Sequence, residues 1–342
     1  MESSETRDPT PDAPVGLLRF EEVYFERIWG GEKLRTLYGK PIPPNTRIGE
    51  AWLIADHPQH ESIVAEGPHR GRTLRSLLEE YPQEILGARP RLTPHGRFPL
   101  LLKILDAADL LSVQVHPDDA CAMQLGEPDV GKTEMWHVLQ ADPHSELICG
   151  LKPDVTPEAL MQSIHDGSIY RLMQRFEVSA GDSVFVPAGT VHAIGAGVVL
   201  AEIQQNSDLT YRLYDWQRVD ASGRPRPLHV EKALKAIHFG CPVPGVGCRV
   251  PPASGLQPPA SSLFLAECPY FAAEWVQVRD SCEHAVQGET FHIILVIAGQ
   301  LAFVTDDGET NLCPGRALLV PGSVPSFGVR GVGAFLDYYV AS

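Results

Sequence analysis

The chain has 342 residues, a formal net charge of -15 and 44% hydrophobic residues, enough to bury a large core and to suggest about two domains. The acidic balance argues against nucleic acid or an anionic membrane surface as partner, because both are held by basic patches. No run approaches the ~20 apolar residues that cross a bilayer, and the first residues lack the basic and apolar regions of a signal peptide, so a cytoplasmic protein is expected.

Thirty glycines and thirty prolines fit many short strands joined by turns, so the expected fold class is mainly β. Residues 1–14 are polar and charged, and a disordered tail is expected there. The runs from Leu18 to Phe25 and from Gly49 to Ala55 carry the β-favouring residues of strands, and Trp29 with its two following glycines reads as a turn between them. The leucines at 74, 77 and 78 predict a short helix over 73–81. Further helices are expected over 157–176, where Thr156 is the N-cap and Pro157 the first helical residue, and over 229–238. Residues 241–260 are rich in Pro and Gly and read as a linker between a catalytic part, 15–240, and a C-terminal part, 261–342, that is strand after strand. Seven cysteines without a Cys-x-x-Cys pair are expected to be reduced and mostly buried.

Chemistry concentrates in the first part. In a strand over Ser-Val-Gln-Val-His, Gln114 and His116 share one face while Val113 and Val115 point the other way. Glu134 opens the strand-like run Thr-Glu-Met-Trp-His-Val-Leu, and His192 follows the strand that ends at Pro187-Ala-Gly189. Three strands that aim these side chains at one axis need a closed or sandwiched β structure. Histidine, glutamate and an amide oxygen suit zinc or another divalent first-row ion, one per chain. His137, His144, His165 and His229 are not placed inward by any pattern and are read as structural. The phrase Gly181-Asp-Ser-Val-Phe-Val-Pro recurs as Gly315-Arg-Ala-Leu-Leu-Val-Pro. Five residues after its proline the second copy has Ser326 in place of His192, so a metal is expected only in the first copy.

Gly-x5-Pro-x-Gly-x-x-His, Gly181 to His192, resembles the second motif of the cupin superfamily. Together with Gln114-Val-His116-Pro, Gly131-Lys-Thr-Glu134 and Leu209-Thr-Tyr-Arg212 it resembles the short bacterial kind of type I mannose-6-phosphate isomerase over roughly residues 17–240, and more loosely beyond. The resemblance implies two cupin-type jelly-roll barrels with a few helices inserted in the N-terminal part, the second barrel degenerate and without metal. It implies a zinc-dependent aldose-ketose isomerase acting through a cis-enediol, with Gln114, His116, Glu134 and His192 as ligands. Arg212, Lys132 and Glu202 are the implied catalytic residues, and Lys103 and Ser112 match residues of the family's pocket. Trp29 is a candidate wall for the sugar. The base is left open among Glu202, Lys132 and a metal-bound hydroxide. A small phosphorylated hexose is the expected partner of a monomer or homodimer. A cupin dioxygenase and a non-catalytic sugar-binding cupin are the alternatives.

Overall fold

A computed structural model describes residues 15–219, 223–240, 248–249, 260–286 and 289–341. The tail expected over 1–14 and most of the linker expected over 241–260 lie outside the described residues.

The first half is a jelly roll of two facing antiparallel sheets. One contains, in spatial order, the strands Val23–Gly31, Ile48–Ile54, Leu100–Ala107, Val198–Gln205, Glu134–Ala141, Asp182–Val186 and the short Cys248–Arg249; the other contains Tyr211–Tyr214, Val113–Val115, His192–Ile194, Glu146–Leu151 and Met173–Glu177. Side chains alternate across a strand, and in the larger sheet that alternation separates two interiors. Trp136, Val138, Leu105, Val198 and Leu200 face the space between the two sheets, where they meet Leu147, Cys149 and Ile194. Their neighbours Met135, Ile104, Leu102, Val199, Ala201 and Ile203 face the opposite way, into the largest core.

That largest core is shared with the second half, which supplies Phe271, Trp275, Ile293, Leu295, Leu336 and Tyr338. The second half is one sheet around the strands Ala272–Val278, Ser326–Tyr339 and His292–Thr305, with a core of its own including Val276, Ile294, Phe303 and Phe335. The halves are also joined by reciprocal backbone bonds of 2.9 Å between Leu18 and Leu319. Glu22 adds ion pairs to Lys40 at 2.7 Å and to Arg316 at 2.9 Å.

Several expectations change. Trp29, Gly30 and Gly31 are not a turn but the end of the strand Val23–Gly31. The glycines serve close approach: a Cβ on Gly30 would lie 2.5 Å from the Gly49 nitrogen, and one on Gly31 would lie 2.6 Å from the Asp106 carboxylate. The helix expected over 157–176 spans only Pro157–Asp166, because Gly167 takes the left-handed conformation (φ 76°) that ends it, and Phe176 lies in a strand. Its start is as expected, with the Thr156 side chain accepting from the Ala159 amide. The helices Leu74–Glu80 and Val230–Ala236 fall where expected, whereas Lys33–Tyr38, Pro82–Leu86 and Asp119–Gln124 were too short to show a period. Of the five cysteines whose side chains are described only Cys149 is buried and Cys313 is exposed, so most are not fully buried; all five are free.

His137 is buried and bonded through Nδ1 to the Ser183 hydroxyl at 2.8 Å. Burial pulls its pKa from 6.5 to about 4, with Asp182 opposing weakly. The unfolded chain therefore takes up a proton here that the folded chain refuses, and stability falls as pH drops from about 6.5 towards 4. His137→Gln should flatten this acid dependence, by on the order of 2 kcal/mol at pH 5, measured as urea-unfolding free energies of both proteins at pH 7 and pH 5. Equal slopes would remove His137 from the account.

Candidate metal centre

One pleat rule places the charged groups. In the larger sheet Glu50, Lys103, Glu134 and Glu202 share the inner face, with Glu202 opposite both Lys103 and Trp136 in register. From the facing sheet the strand Val113–Val115 brings Gln114 inward, while Val113 and Val115 pack into the core behind it, as expected. His116 follows at the strand end, and His192 pairs with Gln114 on the neighbouring strand. Gly189, with φ of 83°, makes the turn that returns the chain from Pro187 to His192.

The donor set is built for a cation. His116 donates from Nδ1 to the Leu209 carbonyl at 2.6 Å, and His192 from Nδ1 to the Thr190 carbonyl at 2.9 Å. Each bond fixes the tautomer and leaves the Nε2 lone pair facing the centre. Burial lowers both imidazole pKa values, that of His116 to about 3, so both rings are neutral. Glu134 Oε1 and Oε2 each lie 3.4 Å from one of these nitrogens. Around an ion bonded at ~2.1 Å, tetrahedral ligand atoms are roughly 3.4 Å apart. Glu134 is fully buried, and its Oε1 has no hydrogen-bond partner. A buried carboxylate with one orphaned oxygen, set between two neutral imidazoles, fits a divalent ion. The Gln114 amide nitrogen lies 3.2 Å from His192 Nε2, and half a turn of the amide brings its oxygen to that place.

Lys132 lies against this cluster, 2.6 Å from Glu134 Oε2, 3.2 Å from His116 Nε2 and 3.7 Å from Glu202. Burial disfavours its charge, but Glu134 and Glu202 outweigh burial and raise its pKa, so it is an ammonium. Glu134 is likewise penalised by burial and yet held well below the usual carboxylate range by Lys132. Glu202 goes the other way: burial and the Glu134 charge raise it against Lys132 and Lys103.

The cluster adjoins a cleft of about 340 Å³ whose lining includes Trp29, Lys103, Ser112, Gln114, Lys132, Glu202 and Arg212. All the expected site residues thus meet in one place. Lys103 does not snorkel to solvent; it is buried over the Trp52 ring, 3.6 Å from Glu202 and 3.9 Å from Glu50. Arg212 does not pair with Glu202. Its Nε donates to the Ser112 hydroxyl at 3.3 Å and its Nη1 to the Pro227 carbonyl at 3.0 Å. Arg27, Glu50, Asp208 and Arg226 also line the cleft and were not anticipated. Glu50 had a legible signal, an acid at an alternating position in the apolar strand Ile48–Ile54; Arg226 had none, since it arrives from an irregular segment and pairs with Asp215 at 2.5 Å. A larger groove of about 750 Å³, lined by Leu92, Met123, Tyr270 and others, holds none of the expected site residues. His137, His144, His165 and His229 stay outside the cluster, as expected.

A cupin-type jelly roll with a buried His-Glu-His cluster that could hold a metal ion, opening on a cleft lined by lysine and arginine, defines an enzyme of the cupin class. The sequence matches the phosphomannose isomerase type I catalytic domain over residues 17–137 and the mannose-6-phosphate isomerase cupin domain over 261–340. It is 38% identical to the mannose-6-phosphate isomerase of Streptococcus mutans, over 90% of this chain and 92% of the relative. It is 37% identical to the mannose-6-phosphate isomerase ManA of Bacillus subtilis, over 92% and 96%. The crystal structure of a Bacillus subtilis mannose 6-phosphate isomerase superposes with a TM-score of 0.84 at 33% identity, covering 95% of this chain and 99% of that one. The chain belongs to the type I mannose-6-phosphate isomerases.

Glu134→Gln should weaken metal binding by about 10-fold or more, read as the chelator concentration that strips the ion, whereas His144→Gln should leave it unchanged. An unaltered stripping curve for Glu134→Gln would exclude the carboxylate as a ligand.

Proposed function

We propose that the protein interconverts mannose 6-phosphate and fructose 6-phosphate through a cis-enediol, with one zinc ion held by Gln114, His116, Glu134 and His192. The observation that carries the reading is the Glu134 carboxylate, one oxygen orphaned, set between two imidazole lone pairs and beside a cationic cleft of sugar-phosphate size. When bound, the ion supplies a Lewis acid next to the sugar oxygens.

The remaining chemistry belongs to the chain. Isomerisation moves a proton between C1 and C2, so a group that can take and return it must sit fixed beside the sugar. Glu202 is suited to this: its Oε2 accepts from Trp136 Nε1 at 3.1 Å, and its raised pKa strengthens it as a base. Lys132, held as an ammonium, stabilises the charge that develops on the sugar oxygens rather than abstracting a proton. Arg212 keeps its charge and is anchored by Ser112 and Pro227, so it orients the substrate. Ser112, Arg212 and Arg226 form the end of the cleft suited to the phosphate. Lys103, shared between Glu50 and Glu202, is assigned to a sugar hydroxyl, with Trp29 as wall.

Mannose 6-phosphate should be converted to fructose 6-phosphate by the purified protein, and chelation should abolish turnover reversibly. No product at any metal loading would end the proposal. Glu202→Gln should lower kcat by roughly 10²- to 10⁴-fold and Arg212→Ala by at least about 10²-fold, both with the bound-metal content retained. Either variant with full turnover loses its catalytic role.

A further inference from the structure

The internal repeat can be followed residue by residue through the strand registers. In the first half Val186 pairs with Glu134, and Glu202 lies opposite Trp136, two residues further along the same strand. In the second half Val320, the counterpart of Val186 in the repeated phrase, pairs with His292, and Asp337 lies opposite Ile294, again two residues along. His292 therefore occupies the place of Glu134, and Asp337 that of Glu202.

The third correspondence overturns the basis for expecting no metal there. That expectation set Ser326 against His192, yet Ser326 is exposed and Phe327 is the inward residue, 1% exposed. Phe327 pairs with His284, as His192 pairs with Gln114. His284 thus stands where Gln114 stands. Three positions that line the metal-type centre of the first half are filled in the second by His, His and Asp.

They converge. Asp337 is fully buried, with both oxygens 2.9 Å from His292 Nδ1 and Oδ2 also 3.0 Å from His284 Nε2. Ligand atoms at right angles around an ion bonded at ~2.1 Å are roughly 3.0 Å apart. Phe327 stacks on His284 at 5.1 Å between centroids, and Tyr339 covers His292 at 5.1 Å, so both rings are held in place. Glu274 lies beside Asp337 in register and accepts from the Tyr339 hydroxyl, adding negative charge next to the cluster. Access is past His284, whose side chain is 23% exposed.

From the register and these distances we infer that the second half holds a divalent first-row metal ion on His284, His292 and Asp337. Two imidazoles and one carboxylate suit zinc or cobalt(II). His284 lies on the strand Ser281–Ala285 and His292 and Asp337 on the two long strands, so the ion ties these three strands together.

The test counts ions per full-length chain after demetallation, reloading with cobalt(II) and gel filtration, by elemental analysis and visible absorption. Wild type should carry two ions. His284→Gln and Asp337→Asn should each carry one, with isomerase turnover kept in His284→Gln, whose glutamine can still donate to Asp337. The pair Glu134→Gln with His192→Ala should carry one ion and lose turnover, and that ion should vanish when His284→Gln is added. One ion in wild type, unchanged by His284→Gln and absent from the Glu134/His192 variant, overturns the inference while leaving the isomerase site intact. The reverse pattern, one ion lost only with His284→Gln, sustains this site and removes the other.

Discussion

An ionised carboxylate at the centre of a protein is the constraint around which this structure is organised. Removing the Glu134 charge from water costs several kcal/mol even after relaxation, and burial of this kind persists only when other groups compensate. The Lys132 ammonium answers one oxygen at 2.6 Å. The other oxygen has no hydrogen-bond donor and faces His192, which like His116 beside the first oxygen turns its proton away, onto the carbonyls of Thr190 and Leu209 respectively. A site that keeps lone pairs convergent and protons outward stores its compensation for a cation, and the cost of holding it open falls on the packing around it.

That packing explains the double-layered architecture. The larger sheet of the first half carries Glu50, Lys103, Glu134 and Glu202 on its inner face, and buried charges are compensated only while their short distances are held. Its outer face is therefore not left to solvent. Ile104, Met135, Ala201 and Ile203 are pressed against Trp275, Ile293, Leu295 and Leu336 of the second half in the largest core of the molecule. The C-terminal half thus backs the sheet that carries the buried charges. It also preserves the ladder geometry of the first half, with a different set of side chains at the inward positions.

Legibility followed periodicity. The Gln114-x-His116 alternation placed two donors on one face because side-chain direction along a strand has a period of two, and Val113 and Val115 behaved as that rule requires. Thr156 and Pro157 announced a helix start through local capping chemistry, and the structure bears this out. Where several local conformations are open to a segment, tertiary contacts decide between them. Trp29-Gly-Gly satisfies turn statistics, but the strand was retained because Gly49 and Asp106 approach too closely for side chains at 30 and 31. The helix over 157–176 was cut short by one left-handed glycine.

The sequence alone carried the identities and spacing of the donors, since strand alternation and the turn at Gly189 are local properties that need no knowledge of the rest of the chain. The tertiary structure decided who answers whom. Whether Arg212 would pair with Glu202, whether Lys103 would reach solvent, and that Arg27, Glu50 and Arg226 share the cleft all depend on strands distant in sequence. The same holds for His284, His292 and Asp337, dispersed over more than fifty residues and brought together only by pairing register. Charges in a buried site interact over a few ångströms whatever their separation along the chain, so their partners are fixed by packing and not by sequence neighbourhood.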